Sequence, residues 1–410
     1  MNRRHFLRYG TLAGASSLLA VGTRDLWFPH HAWGQSRRSP RLIVILLRGA
    51  VDGLNVVVPY RESAYYEARP SVAIPQPGQP QGALPLNNQF GLHPALEALM
   101  PLWKAGQLAF VHACGSPDAT RSHFDAQDYM ETGIPGNKRI KDGWLNRLLA
   151  NLPAGPITQA VNIGAQTPLI LSGSQQVTTL PLGKKAVRRQ SIDNIPVQEA
   201  FDRLYQGDNA LAKAYQRGRQ ARTALLAEFN TEMMQASKGA PSPVNAASDL
   251  NRLAKLMTGK TQTQVASISF GNWDTHVNQG SSQGPLANRL RSLGEGIQQL
   301  TQALGSTFND TTIVVMSEFG RTVGENGNQG TDHGHGNVMW ILGGQVNGQQ
   351  VYGNWPGLAE TQLYQGRDLA VTTDFRDAIA SILTQHMGLN STQLAQVFPG
   401  HSVQQTLPIF

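Results

Sequence analysis

The sequence predicts an α/β protein: a largely parallel central sheet flanked by helices, with a helical insertion. Leu42–Leu47 (LIVILL) and Ile313–Met316 (IVVM) are short, continuous apolar runs rich in β-branched residues, as strands buried on both faces are. Pro285–Leu304 sets Leu286, Leu290, Leu293, Ile297 and Leu300 at helical spacing between two strand-like runs, as in a βαβ unit. Acids and imidazoles gather directly after the strands, where α/β sheets bind ligands.

Composition narrows the class. A hydrophobic fraction of 40% with 42 glycines and 23 prolines fits a loop-rich globular chain and argues against disorder. The net charge is +7, of which residues 1–34 supply +3 through Arg3, Arg4, Arg8 and Arg24 against Asp25. The remaining +4 has no long basic block beyond Lys184-Lys185 to Arg188-Arg189, so nucleic acid is not an expected partner. Cys114 is the only cysteine, so the chain has no internal disulfide, and its place after Leu108–His112 fits a small buried hydrophobe. No organic cofactor is expected.

The first 34 residues read as a leader. Asn2-Arg3-Arg4-His5-Phe6-Leu7-Arg8 resembles the twin-arginine export signal, followed by a weak apolar stretch over Tyr9–Val21 and by Ala32-Trp33-Gly34, a small-residue site for cleavage before Gln35. The expected partner is the twin-arginine export machinery and the expected location is the periplasm or the exterior. No later run approaches the ~20 apolar residues of a membrane span. Residues 35–410 are then expected to form one α/β domain, with the insertion at about 196–257.

In chain order, the Leu42–Leu47 strand runs into Arg48-Gly49-Ala50-Val51-Asp52-Gly53. Asp52, between glycines just past the strand end, is a candidate metal ligand or an Asp closing a turn. Ala68–Leu86 reads as a surface loop, and Pro94–Leu102 as a helix with Pro94 near its start. Strand Leu108–Val111 leads to a polar segment in which Thr120 and Ser122 can cap a helix over His123–Thr132. A hydroxyl there either caps or attacks an anion held at the helix start, and Arg121 can clamp that anion bidentately. Ile157–Thr179 suggests small strands, and Pro196 to about Gln235 and Ala246–Met257 suggest helices over the sheet. Strand Val265–Phe270 ends at Trp273-Asp274-Thr275-His276, where Asp274 and His276 can face one divalent ion. Glu318, Arg321, Asp332, His333 and His335 fill the connection between Ile313–Met316 and the apolar run Val338–Leu342. A last helix begins near Asp374.

Six ordered motifs carry a family resemblance: Leu47-Arg48-Gly49-Ala50-Val51-Asp52-Gly53-Leu54-Asn55, Arg121-Ser122-His123-Phe124-Asp125, Trp273-Asp274-Thr275-His276, Ser317-Glu318-Phe319-Gly320-Arg321, Gly330-Thr331-Asp332-His333-Gly334 and Thr373-Asp374-Phe375-Arg376. Together they resemble domain-of-unknown-function family 1501 over nearly the whole mature chain. That family is in turn similar, remotely, to the alkaline phosphatase and sulfatase superfamily. The resemblance implies metals at the carboxyl ends of the strands, with Asp52 in the place of a first-strand ligand and Thr120 or Ser122 near the nucleophile. Asp274 and His276 match an Asp-and-His pair, and His333 or His335 matches a late His. Glu318-Phe319 departs from the superfamily's Asp-His pair, which implies one divalent ion (zinc, manganese, magnesium or calcium) or a site reduced to binding. The expected activity is hydrolysis of a small anionic ester of phosphate or sulfate, with Arg121 or Arg321 balancing charge. A catalytically weakened binding or assembly protein on the same fold is the alternative.

Overall fold

The computed structural model describes residues 39–164, 166–181, 195–205, 207, 209–220 and 246–410. The leader, the Lys184–Arg189 segment and residues 221–245 of the expected insertion lie outside the described residues.

Nine strands among the described residues form one sheet: β1 (Arg41–Leu47), β2 (Leu108–Gly115), β3 (Ala160–Ile163), β4 (Thr178–Leu180), β5 (Val265–Phe270), β6 (Thr311–Ser317), β7 (Asn337–Gly343), β8 (Val351–Tyr352) and β9 (Thr373–Asp374). Their order is β8-β2-β7-β6-β1-β5-β3-β4, with β9 also paired to β2. β1 is central, parallel to β5 from Leu42↔Val265 to Leu47↔Phe270 and to β6 from Arg41↔Thr311 to Leu47↔Ser317. Only β7 runs against its neighbours β6 and β2. It follows β6 without a crossover helix, and a direct connection returns the chain antiparallel. The ends of β1, β2, β5 and β6 and the start of β7 therefore lie on one edge.

Both faces of the sheet are covered, which is why its strands are apolar without alternation. On one face Ile43, Ile45, Ala266, Ile268, Ile313, Val315 and Trp340 pack with the helices Ala246–Thr258 and Pro285–Leu304. The latter helix starts on Pro285 and buries Leu286, Leu290, Leu293, Ile297 and Leu300, the stripe its spacing predicts. On the other face Leu42, Val44, Val314, Met316 and Ile341 meet Trp144 and Leu148 of the helix Trp144–Ala150 and Phe375, Ile379 and Ile382 of the helix Phe375–Gln385. Truncating a fully buried strand residue such as Ile45 to alanine should cost about 2–5 kcal/mol. No helix among the described residues is long and apolar enough to cross a membrane.

Three local readings change. Strand β2 extends past Val111 to Gly115 and carries Cys114, which is buried with its thiol pushed up by burial. Pro94–Leu99 is a 3-10 turn running into a short α-helix, Met100–Lys104. Ala68–Leu86 is not wholly a surface loop: Val72 and Ile74 are buried, and Leu84–Pro85 joins a small sheet with Gly91–Leu92 and Val57–Val58. Ile74 and Ala83 pack with Tyr65 and Val58, so apolar residues in a Pro/Gly-rich stretch still find a core.

Candidate metal centre

The site is assembled at this edge from three loops and one helix start. Helix α1 (His123–Thr132) opens with Ser122 as N-cap, its Oγ accepting from Asp125 N at 3.4 Å, and closes at Gly133 in the left-handed conformation. His123, the first helical residue, is thereby aimed at the loop after β5. There, the donor atoms of His123, Asp274 and His333 lie within 4.8 Å of one another. His123 Nε2 stands 3.6 Å from Asp274 Oδ2, and His333 Nε2 stands 3.4 Å from Asp274 Oδ1. His276 Nε2 adds a third imidazole, 2.9 Å from Asp274 Oδ1 and 2.9 Å from His333 Nε2.

The outward nitrogens are all engaged. His123 Nδ1 donates to Glu318 Oε1 (2.8 Å), His276 Nδ1 to Asp332 Oδ1 (3.0 Å) and His333 Nδ1 to the Arg121 carbonyl (2.9 Å). Carboxylates and carbonyls only accept, so each Nδ1 carries a hydrogen, and in the neutral ring each Nε2 is a lone pair facing inward. Metal-binding histidines are fixed in this way.

Charge placement agrees. The hydrogen bond to Glu318 raises the pKa of His123, whereas burial pushes that of His333 down. Burial drives the Asp274 and Glu318 carboxyls upward, but their partners outweigh it and both stay below the usual carboxylate range. For Asp274 the main partner is the Arg321 guanidinium, at 2.6 Å; for Glu318 they are His123, Gln127 and the Gly49 N–H. Asp332 is held low first by Asn326 and then by His276. Arg321 is buried and also donates to the carbonyls of Gly49, Ala50 and Thr331, which anchors it between the loops after β1 and β6. Gly49 has φ +113°, and a Cβ there would sit 2.9 Å from Asp274 N, so only glycine lets the loops after β1 and β5 pass so closely.

The structure thus brings together Asp274, His276 and His333, with Glu318, Asp332 and Arg321 as their partners. Five other candidates lie apart. Asp52 is fully buried and ion-paired to Arg69 (2.6 and 3.1 Å), with Gln279 Nε2 donating to it at 2.6 Å. Its carboxylate is spent inside the protein. His335 donates from Nε2 to the Ser116 carbonyl (3.0 Å) and packs on Tyr364, so of the two late histidines it is His333 that meets Asp274. Arg121 turns its guanidinium to Asp368 (2.6 Å) and Gln365 (2.8 Å), and only its carbonyl serves the site. The Ser122 and Thr120 hydroxyls accept backbone N–H groups of the helix start, from Asp125 and Ser122 respectively.

Sequence reasoning passed over His123, although it stands inside the Arg121–Asp125 motif and one residue after an expected cap. Phe319, which cannot ligate, stacks on His123 with ring centroids 4.9 Å apart and lies 5.1 Å from His333. With Ala50 and Ala126 it forms a small apolar wall behind the imidazoles.

A sequence model of the DUF1501 family, described as a protein of unknown function, matches residues 39–398. No curated protein matches the chain in sequence. Among solved structures, it is similar to a protein in the alkaline phosphatase superfamily from Vibrio parahaemolyticus, at 12% identity and a TM-score of 0.36, covering 77% of this chain and 63% of that one. It is also similar to the C-terminal periplasmic domain of EcEptC from Escherichia coli, solved in complex with zinc, at 9% identity and a TM-score of 0.36, covering 75% and 74%. A third likeness is to the lipoteichoic acid synthase LtaP from Listeria monocytogenes, at 8% identity and a TM-score of 0.36, covering 75% and 65%. The chain thus spans less than two thirds of the Vibrio and Listeria proteins.

Proposed function

The chain belongs to the DUF1501 family, and from its site we propose that it is an exported, metal-dependent hydrolase of phosphate or sulfate esters. One observation carries the reading: three imidazole Nε2 atoms turn toward one carboxylate while every Nδ1 is tied off. The residues fit a cation. His123 Nε2 is buried without a hydrogen-bond partner among the described residues. The Nε2 atoms of His276 and His333 face each other at 2.9 Å, a contact that needs a cation or a shared proton between two lone pairs. Three imidazoles and a carboxylate suit zinc, and after it manganese, better than magnesium or calcium, which prefer oxygen ligands.

A bound ion would supply Lewis-acid polarisation of an ester oxygen and ease the deprotonation of water. The chain's own residues do the rest. Glu318 and Asp332 fix two histidine tautomers, and Arg321 keeps Asp274 ionised. Ser122 and Thr120 are engaged in the helix start, so water is the attacking group in this reading. The twin-arginine motif, outside the described residues, supports export.

The binding-or-assembly alternative has its own support. Phe319 occupies the wall where a further ligand would stand, and Arg121 is paired with Asp368 away from any anion. Elemental analysis of the protein purified from the periplasm should find about one zinc or manganese per chain, and a chelator should lower its melting temperature. A panel of phosphate mono- and diesters and sulfate esters should then show turnover that His123→Ala abolishes. Absence of metal together with indifference to the chelator would sink the metal reading. Bound metal without turnover on any ester selects the alternative.

A further inference from the structure

Beneath the imidazoles lies a second, fully buried polar assembly that the proposed chemistry does not use. Asp52 and Arg69 form its ion pair, both inaccessible to solvent, and Gln279, equally buried, completes it. The direction of every hydrogen bond is forced. The Asp52 carboxylate only accepts, so the amide NH2 of Gln279 faces it, Nε2 to Oδ2 at 2.6 Å. Gln279 Oε1 must then face the other way, where it accepts from two hydroxyls, Thr275 Oγ1 at 2.7 Å and Thr331 Oγ1 at 2.7 Å. Arg69 donates to the carbonyls of Thr322 and Val323, each at 2.8 Å.

Three of the residues held this way adjoin a site residue in sequence. Thr275 lies between Asp274 and His276. Thr331 precedes Asp332 and His333. Thr322 follows Arg321. The loop after β5 and both ends of the β6–β7 connection are therefore fastened to one ion pair. The two loops also meet directly, Thr331 N donating to the Thr275 carbonyl at 3.1 Å.

We propose that Gln279, braced by Asp52 and Arg69, is a positioning residue that holds the Asp274–His276 and Asp332–His333 loops in the register at which their imidazoles and carboxylate can share a cation. The inference rests on the metal reading of the site. A buried amide in this place does what a side chain touching the ion cannot: it couples two loops through one oxygen atom, so that displacing either hydroxyl moves a ligand pair. Hydrogen-bonded partners of ligand-bearing groups typically change metal affinity by about 10–100-fold when removed.

Gln279→Leu, which leaves the Asp52–Arg69 pair in place, should weaken zinc binding by ten-fold or more in calorimetric titration of the metal-stripped protein. Thr275→Val and Thr331→Val, milder and side-chain isosteric, should each weaken it, and their effects should not add to that of Gln279→Leu because all three act through Oε1. In the metal-free protein, amide hydrogen exchange at Thr331 should quicken in Gln279→Leu while β1 keeps its protection. Zinc affinity within two-fold of wild type in folded Gln279→Leu, or in the Thr275→Val/Thr331→Val double variant should Gln279→Leu not fold, overturns the proposal. Failure of the metal reading is separate: wild type itself would then bind no zinc. In that case unchanged Thr331 exchange in the variants removes the clamp as well.

Discussion

Two charged assemblies share the loops at this edge of the sheet, and they differ in whether their charges are answered from within. In the Asp52–Arg69–Gln279 group every carboxylate and guanidinium meets a protein partner, and none reaches water. In the Asp274 group the carboxylate is 42% exposed and the imidazoles around it are 23–38% exposed, with three inward nitrogens that the protein does not satisfy by donation. A buried charge that is fully paired is part of the scaffold; converging lone pairs without a donor call for something from outside.

The comparison is broken most directly by stability. Removing one partner of the buried pair, as in Asp52→Asn or Arg69→Met, should cost about 3–5 kcal/mol, because an uncompensated charge stays behind. Asp274→Asn should cost less, about 1–3 kcal/mol: the buried Arg321 guanidinium loses its carboxylate partner, but the amide oxygen can still accept from it and the carbonyls of Gly49, Ala50 and Thr331 remain. Urea unfolding of the metal-stripped proteins measures both. Equal losses would mean that Asp274 is scaffold as well.

The interior also sharpens the comparison through pH. Burial depresses His93 and His112 to about 4, each with Nε2 on a backbone carbonyl and Nδ1 accepting a backbone N–H. Unfolded, each would titrate near 6.5, so the folded state binds fewer protons between these values. Their contribution is present above about 6.5 and is lost as pH falls toward 4, on the order of 3 kcal/mol for each group. His112→Phe should flatten the acid limb of a stability-versus-pH curve. A limb unchanged in the variant would place the acid sensitivity elsewhere.

The smallest effect expected is at Ser122. Its cap bond is long at 3.4 Å, so Ser122→Ala should cost about 0.5–1 kcal/mol and, under the proposed hydrolase reading, leave ester turnover within a few-fold of wild type. Turnover lost with the fold intact would restore Ser122 as the nucleophile.

Asp52 and Asp274 show how much of this was readable in the sequence. Both follow a central strand, both stand among glycines or polar residues, and nothing local distinguishes them. What separates them is Arg69, which lies in a stretch that reads as a surface loop and is instead drawn into the core beside Val72 and Ile74. Apolar runs and periodicity located the strands and the helix at 285–304, and the capping residues Thr120 and Ser122 located the helix at 123–132, because those signals are local. They could not reveal the antiparallel direction of β7 or the docking of His123. That residue meets Glu318 across a separation of 195 residues, and no spacing rule reaches so far. The strand-end position of the clusters was legible; the partition between scaffold and site depended on long-range pairing.

The reversal at β7 bears on the order in which the chain assembles. Strands β6 and β7 with their connection form a local unit that carries Glu318, Arg321, Asp332 and His333, and such near-neighbour contacts close early. His276 must come from the loop after β5, and His123 from α1, which follows β2. Under the proposed metal reading, recovery of zinc binding during refolding should therefore trail burial of Trp340 on β7. The last kinetic phase of refolding then becomes the moment at which the three imidazoles first see one another.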